Sequence, residues 1–377
     1  MNLSRKIIFV NATALISGGG LSTIKQFLEN IPEDINFNYI IFCSDKSLER
    51  DFNKINTQYV FPKYKTGLSR IYWDMFGLKQ WSHDNGLRPD LIISLQNTTI
   101  NFDNESIPQI SYVMQAIPFV NKKWNLFKKN ERTLWFYKNI YPYFMSMFLG
   151  KKHFVVTQSK WIRSEFSNKF NFPIEKIFPI RPIVNLSELS VKKEFPNDEF
   201  TIFCPSSPFI YKNNVEIANA LIYLNSHKKN ISKFKIYITF DKGSDKELLN
   251  IIIKYKLEKN FSFIGRITYN EMLSYYNGCN LVVFPSYLET FGLPLLEAAS
   301  FGKPIIAANE DYAQEVIGNY EGAKLLKIHS PEKWGKAILN ESNNSMIYNK
   351  YKANFKESWK YFFELIENIL NKEKTNV

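Results

Sequence analysis

The stretch that decides the fold runs from residue 284 to residue 307 and reads Phe284-Pro-Ser-Tyr-Leu-Glu-Thr-Phe-Gly-Leu-Pro-Leu-Leu-Glu-Ala-Ala-Ser-Phe-Gly-Lys-Pro-Ile-Ile-Ala307. An apolar run ends at Pro285, and Gly292-Leu293-Pro294 predicts a helix start, because proline is favoured in a first turn. Unsatisfied N–H groups and the helix dipole make such a start attractive to anions. Glu289 lies in the loop before it and Glu297 about one turn beyond Pro294. These features indicate a nucleotide-sugar site; the alternative is a buried strand and helix with two solvated glutamates.

The same stretch resembles the E-x7-E signature of the retaining glycosyltransferases of the GT-B fold, family four group. Its two glutamates are Glu289 and Glu297. The resemblance implies that Glu289 contacts hydroxyls of the transferred sugar and that Glu297 binds the ribose hydroxyls of the donor. It also implies that the backbone at the helix start faces the sugar and the diphosphate. The donor-binding candidates there are Thr290, Phe291, Gly292 and Leu293.

Two further segments of the second half resemble the same family. Lys212 follows a predicted strand and a turn, where the family's lysine neutralises the leaving diphosphate; alone, it would more often be a solvated surface lysine. Ser207 stands near the place where the family often has an arginine partner. Gly265 and Arg266 follow another predicted strand, where the family binds the nucleobase, and the alternative for Arg266 is an exposed side chain without a ligand.

The first half resembles the family more thinly. Gly18, Gly19 and Gly20 lie between a predicted strand and a helix predicted over Leu21–Asn30. Alone they are an ordinary glycine-rich turn, but they resemble the family's first loop, which closes over the donor diphosphate and acceptor. Gln115 stands near the place where many relatives have a histidine beside the transferred sugar, so it is the acceptor-side candidate.

Alternating β-branched or aromatic runs and amphipathic runs predict an α/β fold with parallel sheets. The resemblance implies two Rossmann-like domains facing a cleft (GT-B), with a C-terminal helix that crosses back to the first domain. The expected bounds are 1–182 for the acceptor-side domain, 183–198 for a linker, 199–355 for the nucleotide-sugar domain and 356–377 for the closing helix. A single amphipathic helix is predicted over Met346–Leu370, and another over Arg132–Leu149 with a kink or break at Pro142. The predicted strands are Lys6–Asn11, Asn38–Cys43, Leu91–Leu95, Gln109–Met114, His153–Thr157, Phe200–Cys204, Lys235–Phe240, Phe261–Ile264, Asn280–Pro285 and Lys303–Ala308.

Net charge is concentrated in one segment of the chain. The 377 residues carry 48 Lys and Arg against 36 Asp and Glu, a net charge of +12. Residues 121–163 hold ten basic residues and one acidic residue, Glu131, interleaved with aromatic side chains. This basic aromatic segment fits a core-packing helix with a solvated basic face, an anionic membrane surface or, less well, single-stranded nucleic acid. We expect the membrane surface and no nucleic-acid partner.

The remaining composition excludes several classes of protein. The three cysteines and four histidines show no disulfide framework and no metal-ligand spacing, and no Asp-x-Asp occurs, so we expect neither a cofactor nor a metal. No signal peptide and no run of about 20 apolar residues is present, which predicts a cytoplasmic protein, peripheral at the inner face of the cytoplasmic membrane at most.

The resulting prediction is a retaining, metal-independent hexosyltransferase-type enzyme. It moves a sugar from a UDP- or GDP-linked donor to a glycan or lipid-linked glycan acceptor, in surface polysaccharide (O-antigen or capsule) assembly. The expected catalytic residues are Glu289 and Lys212. The alternatives are a nucleotide-sugar epimerase of the same fold and a non-enzymatic nucleic-acid binder using residues 121–163.

Overall fold

A computed structural model describes residues 5–33, 36–63, 67–102, 106–182, 191–344, 346–351 and 358–375. The chain divides into two compact units, Met1–Ile183 together with Phe355–Val377, and Val184–Asn354. Each unit is built on one parallel sheet, so the predicted fold class of two α/β halves is confirmed.

The N-terminal unit has a seven-stranded parallel sheet in the order β3-β2-β1-β4-β5-β6-β7. Its central strands are continuous apolar runs buried on both faces, as in Ile8–Val10 of β1, because helices cover both sides of such a sheet. The strands are β1 (Lys6–Ala12), β2 (Phe37–Cys43), β3 (Thr57–Val60), β4 (Leu91–Ser94), β5 (Gln109–Val113), β6 (His153–Thr157) and β7 (Ile177–Pro179). The helices are α1 (Gly18–Asn30), α2 (Ser47–Asp51), α3 (Gly67–Tyr72), α4 (Leu78–Asp84), α5 (Arg132–Asn139), α6 (Tyr141–Ser146), α7 (Lys160–Phe170) and, from the C-terminal end of the chain, α14 (Ser358–Thr375).

The C-terminal unit has a six-stranded parallel sheet in the order β10-β9-β8-β11-β12-β13. Its strands are β8 (Phe200–Cys204), β9 (Phe234–Ile238), β10 (Phe261–Phe263), β11 (Leu281–Phe284), β12 (Ile305–Ala308) and β13 (Ala323–Leu326). Its helices are α8 (Val215–Ser226), α9 (Lys246–Lys254), α10 (Tyr269–Gly278), α11 (Leu293–Ser300), α12 (Asp311–Ile317) and α13 (Pro331–Ser342). The described part of the expected linker, residues 191–198, packs on this unit: the amide of Lys193 donates to Ser274, and the ring of Phe195 lies 5.0 Å from that of Tyr237.

All ten predicted strands are present, but three short strands were missed. β3, β7 and β13 are edge strands and only partly buried, so they lack the fully buried apolar run that marks strands such as β4 and β11. β7 ends at Pro179, which an edge strand tolerates because its outer N–H groups need no partner.

Two predicted helix bounds were wrong and one was confirmed. Residues 346–351 are not helical; the amide of Tyr351 instead donates to the carbonyl of Ala299, residues 352–357 lie outside the described parts, and α14 begins at Ser358. Helix α1 begins at Gly18 rather than at Leu21, so the three glycines are its first turn rather than a loop. The expected break near Pro142 is confirmed, because α5 ends at Asn139 and α6 restarts at Tyr141 with the proline in its first turn.

Helix α14 belongs to the core of the N-terminal unit, although 171 residues of the other unit precede it, from Val184 to Asn354. Phe362 is fully buried, its ring 5.9 Å from that of Phe27 on α1 and 6.1 Å from that of Tyr112 on β5. The indole of Trp359 donates to the amide oxygen of Gln26 at 3.1 Å. The expected return of the C-terminal helix to the first domain is therefore confirmed.

Phe362→Ala is expected to destabilise the N-terminal unit by about 3–5 kcal/mol, because it leaves a cavity among three buried rings. Urea denaturation followed by tryptophan fluorescence measures the change. Asn368→Ala, at an exposed position of the same helix, should stay within about 0.5 kcal/mol of wild type. Equal effects of the two substitutions would mean that α14 does not pack on this core.

Candidate active site

The candidate site of the C-terminal unit lies where the order of its strands reverses. The chain runs outward from β8 through β9 to β10, then returns to place β11 on the other side of β8, where Ile202 pairs with Leu281. In an open parallel sheet, ligands bind at the carboxyl ends of the strands that flank such a reversal. Lys212 follows β8 and Glu289 follows β11, so the two segments leave the same edge of the sheet.

The two expected catalytic residues form an ion pair. The ammonium of Lys212 lies 2.5 Å from Oε1 of Glu289, and both side chains are largely buried, with exposed fractions of 14% and 17%. The hydroxyl of Ser286 donates to the same carboxylate oxygen at 2.7 Å. The ammonium also lies 5.1 Å from the centre of the Phe284 ring, within the range of a cation–π interaction. The pair thus holds a cation and a carboxylate side by side at the edge of the sheet.

Hydrogen bonds between the two loops fix the positions of this pair. The carbonyl of Tyr211, next to Lys212, accepts the amide of Tyr287 at 3.0 Å and the hydroxyl of Ser286 at 3.3 Å. The hydroxyl of Tyr312 donates to the carbonyl of Ser286 at 2.7 Å. Because the loops are bonded to each other, the ion pair needs little reorganisation when a ligand arrives.

A glycine is required at the start of α11. Gly292 has a φ of 84°, and a Cβ atom there would lie 2.7 Å from the ring of the buried Tyr312. The turn directs the chain into α11, which begins at Leu293 with Pro294 in its first turn, as predicted. Thr290 and Phe291 immediately precede this turn, so the four donor-binding candidates lie together at a helix N-terminus.

Glu297 is buried on α11, and its environment differs from that of Glu289. The side chain is 4% exposed, and its Oε2 has no hydrogen-bond partner in the described parts of the chain. Burial raises the pKa of this carboxyl to about 7, although interactions with the hydroxyls of Tyr276 and Tyr269 oppose the shift. Buried oxygens without a partner are costly, and they are met most often where a ligand supplies the missing partner.

The remaining candidates of this unit are placed less closely. Gly265 has a φ of 69° after β10, with Asp241 Oδ1 2.9 Å from the position of a Cβ atom. Arg266 follows it as an exposed side chain, and within the described residues no contact joins it to Lys212 or Glu289. Ser207 forms part of the turn after β8, where its carbonyl accepts the amide of Asn214 at 3.0 Å.

Sequence and structure comparisons assign this unit to a known family. Residues 187–358 match the family of glycosyl transferases group 1. The chain carries a group 1 glycosyltransferase domain. An uncharacterized glycosyltransferase of Methanocaldococcus jannaschii is 26% identical over 94% of this chain and 96% of its own length. The O-antigen chain mannosyltransferase of Salmonella typhimurium is 24% identical over 54% of this chain and 55% of its own length.

Solved structures share the fold of the whole chain, which is that of the GT-B glycosyltransferases. A glycosyltransferase from Rickettsia africae superimposes with a TM-score of 0.69, at 16% identity, over 97% of this chain and 99% of its own. The lipopolysaccharide outer core galactosyltransferase WaaB gives a TM-score of 0.64, at 13% identity, over 96% of this chain and 99% of its own. Anabaena HepE, crystallised with UDP and glucose, gives a TM-score of 0.61, at 16% identity, over 99% of each chain.

The candidates outside the glycosyltransferase domain lie in the N-terminal unit. Gly18 is exposed and has a φ of 57°. A Cβ atom added at Gly20 would lie 3.1 Å from the Leu15 side chain. Gln115 uses its side-chain oxygen to accept the amide of Ile117 at 3.2 Å, in the turn after β5. This bond shapes the turn, and no feature of Gln115 points to an acceptor.

Several site residues were missed by the sequence analysis. In the glycosyltransferase domain these are Ser286 and Tyr312, which hold Glu289 and its loop in place. In the N-terminal unit a buried carboxylate, Asp74, lies among polar side chains that are far apart in the sequence. Tyr312 and Asp74 could not have been found from a local pattern, because their partners lie at least 22 residues away; Ser286 lies only three residues before Glu289.

The described residues contain neither a cluster of metal ligands nor a membrane-spanning helix. No group of three or more His, Cys, Asp and Glu side chains in these parts of the chain is arranged to hold a metal ion. Nor is any helix in the described ranges both long and apolar enough to cross a membrane.

Glu297→Gln is expected to change how stability depends on pH. The native carboxyl keeps its proton up to about pH 7, whereas the same group in the unfolded chain loses it near pH 4.5. Between these values the native state binds more protons, so the free energy of unfolding falls as pH rises. The variant lacks this loss, so it should be more stable than wild type at pH 8, by up to about 3 kcal/mol, and close to wild type near pH 4.

Urea titrations at pH 4 and pH 8 measure this difference. The exposed Glu258 in the same domain supplies the control, since Glu258→Gln should follow the wild-type pH dependence. Parallel pH profiles for wild type and Glu297→Gln would contradict the burial of an unpaired carboxyl at this position.

Proposed function

We propose that this chain is a retaining glycosyltransferase that moves a sugar from a nucleoside-diphosphate sugar to a hydroxyl of a glycan or lipid-linked glycan. The observation that carries the proposal is the Lys212–Glu289 pair at the strand reversal between β8 and β11. The buried Glu297, with an oxygen that lacks a partner, lies on the helix that begins beside this pair. Glycosyl transfer itself is the reaction class of the matched family.

The reaction can be assigned to residues as a front-face substitution. The bond between the anomeric carbon and the oxygen of the leaving phosphate breaks, and its electron pair stays on that oxygen. The acceptor oxygen bonds to the anomeric carbon from the same face, and its proton passes to the leaving phosphate oxygen. Lys212 would neutralise the negative charge that develops on the diphosphate, and Glu289 would stabilise the positive charge that develops on the sugar.

The donor is held by groups of the same domain. The N-terminus of α11, from Thr290 to Leu293, would face the diphosphate, where the helix dipole favours an anion. Glu297 would accept the hydroxyls of the ribose through its unpaired oxygen. Gly265 and Arg266 would lie towards the base. Lys212 and the N-terminus of α11 would balance the negative charge of the leaving diphosphate without a metal ion.

Relatives support a role in polysaccharide assembly and a uridine nucleotide as donor. Similar proteins include an O-antigen chain mannosyltransferase and a lipopolysaccharide outer core galactosyltransferase. Anabaena HepE was crystallised with UDP-glucose as well as with UDP and glucose. We therefore propose UDP-sugars as the first donors to test, with GDP-sugars next, for a chain that acts in the cytoplasm.

Lys212→Ala and Glu289→Ala are each expected to lower sugar transfer at least about 100-fold, because each removes a charge that the transition state uses. Radiolabelled transfer to lipid and glycan fractions measures the rate, and thermal stabilisation by nucleotide sugars identifies the donor. The same assay distinguishes an epimerase, which would convert the donor without an acceptor.

The exposed pair of Lys336 and Glu332, 2.6 Å apart on α13, supplies matched controls. Lys336→Ala and Glu332→Ala remove the same charges outside the site and should keep wild-type transfer. Transfer near the wild-type rate by either site variant, with the controls intact, would refute the assignment.

We also propose that the basic aromatic segment, residues 121–163, contacts an anionic membrane surface. Phe127 is 86% exposed and Leu126 is 40% exposed, beside Lys128 and Lys129. Solvated apolar side chains next to lysines suit the boundary between headgroups and acyl chains. The lysines would pair with anionic lipid headgroups.

Phe127→Ser is expected to weaken binding to vesicles containing phosphatidylglycerol by about tenfold, because an exposed ring no longer enters the bilayer. Co-sedimentation at 50 mM and 500 mM salt measures it, and wild-type binding should fall at high salt. Ile347→Ser, at a position 96% exposed in the C-terminal unit, is the control and should bind as wild type does. Absence of wild-type binding at low salt would exclude the membrane contact.

A further inference from the structure

The N-terminal unit contains an apolar pocket that the proposed chemistry does not use. Its volume is about 460 Å³, within the range of small-molecule sites. One wall comes from the helical segment that contains α3 and α4, and the other from α5 and α6 of the basic aromatic segment. Phe136, Ile140 and Met147 line it and remain 37–46% exposed, so its apolar surface is open to solvent.

The inner end of this pocket is polar and lies at the strand reversal of the N-terminal sheet. The order β3-β2-β1-β4 reverses between β1 and β4, and Thr98 follows β4 into the pocket wall. Asp74, also in the wall, is 6% exposed. Its Oδ1 accepts the amides of Asn11 at 2.8 Å and Gln96 at 2.9 Å, and its Oδ2 accepts the hydroxyl of Thr98 at 2.7 Å. Both oxygens of Asp74 are therefore occupied.

Arg70 keeps donors available at the same end of the pocket. Its Nη2 donates to the carbonyl of Gln96 at 2.8 Å and lies 3.2 Å from the hydroxyl of Tyr141. Within the described parts of the chain, Nε and Nη1 make no hydrogen bond. A guanidinium has five N–H donors and no acceptor, so the unused ones are available to an oxygen acceptor of a ligand.

The backbone beside this end is irregular. Residues Trp73–Gly77, between α3 and α4, form a π-helical turn that includes Asp74, and such turns occur frequently at functional sites. A Cβ atom at Gly77 would lie 2.5 Å from the Trp73 ring, so glycine is required for the turn to pack. The irregular turn places Asp74 against the strand ends.

We propose that this pocket binds a single apolar chain whose anionic head is held at Arg70, and that the glycosyl acceptor carries this chain. Apolar walls fit an alkyl or prenyl chain, and the free N–H groups of Arg70 fit phosphate oxygens. The segment that supplies half of the lining has ten basic residues and one acidic residue between positions 121 and 163, a charge complementary to an anionic head. The link to the acceptor rests on the proposed glycosyl transfer; the binding site does not.

Isothermal titration of the full chain with dodecyl phosphate, below its critical micelle concentration, tests the site. Dodecyl phosphate should bind at least about tenfold more tightly than butyl phosphate, which lacks the chain, and than dodecyltrimethylammonium, which has the opposite charge. Ile140→Trp and Met147→Trp fill the pocket from its open side and should each weaken binding at least about tenfold. Tyr143→Trp is the matched control, since Tyr143 is 69% exposed on α6 outside the lining, and it should bind as wild type does.

Three results would overturn the proposal: equal affinity for butyl and dodecyl phosphate, equal affinity for the cationic probe, or unchanged binding by a folded Ile140→Trp. Dissociation of a wild-type dimer by Ile140→Trp, with no response to dodecyl phosphate, would instead identify a second copy as the occupant. Arg70→Leu should remove the preference for the anionic probe while chain-dependent binding persists. Stabilisation by nucleotide sugars, measured on the same variants, should be unchanged, so a failure of this pocket and a failure of glycosyl transfer give different results.

Discussion

The reversal of strand order in each sheet is the constraint on which both candidate sites depend. A parallel sheet directs all its loops from the carboxyl ends of the strands to one edge, and a reversal leaves two neighbouring loops diverging there. In the C-terminal unit the loops after β8 and β11 diverge and carry Lys212 and Glu289. In the N-terminal unit the segments after β1 and β4 diverge, and Gln96 after β4 bonds to Ala14 after β1. The topology therefore creates the space, and the residues that follow the strands decide what fills it.

The two glutamates of the C-terminal site show how environment separates one residue type into two roles. Glu289 has a cation at 2.5 Å and a hydroxyl at 2.7 Å, so its charge is compensated before any ligand arrives. Among the described residues Glu297 has no ion-pair partner, one of its oxygens has no hydrogen-bond partner, and burial raises its pKa to about 7. A compensated carboxylate can face a developing positive charge with little reorganisation, whereas an uncompensated one gains most from a ligand that donates hydrogen bonds.

Much of the fold could be predicted because its signals are local. Apolar and aromatic runs found ten of the thirteen strands in the described residues, and the Gly292–Pro294 sequence placed the start of α11 correctly. The strand β13 was missed because it is a partly buried edge strand that includes Lys324, and the start of α14 was misplaced because apolar spacing continues upstream into residues 346–351, which are not helical. Lys212 and Glu289 could be named from sequence, but their ion pair joins residues 77 positions apart and follows only from the pairing of β8 with β11.

The pocket of the N-terminal unit could not be predicted from the sequence, because its two walls come from separate parts of the chain. The sequence shows one wall as the basic aromatic segment, but a core helix, a lipid-facing helix and a nucleic-acid site can all have that composition. What separates them is the opposite wall, where Arg70 and Asp74 form a polar end to the apolar cavity and Arg70 keeps N–H donors available. A helix that only packed into a core would leave no such cavity, and a flat membrane-facing surface would have no partly buried guanidinium at the end of a cavity. The two-walled cavity and its polar end together favour one bound chain over a general affinity for lipid.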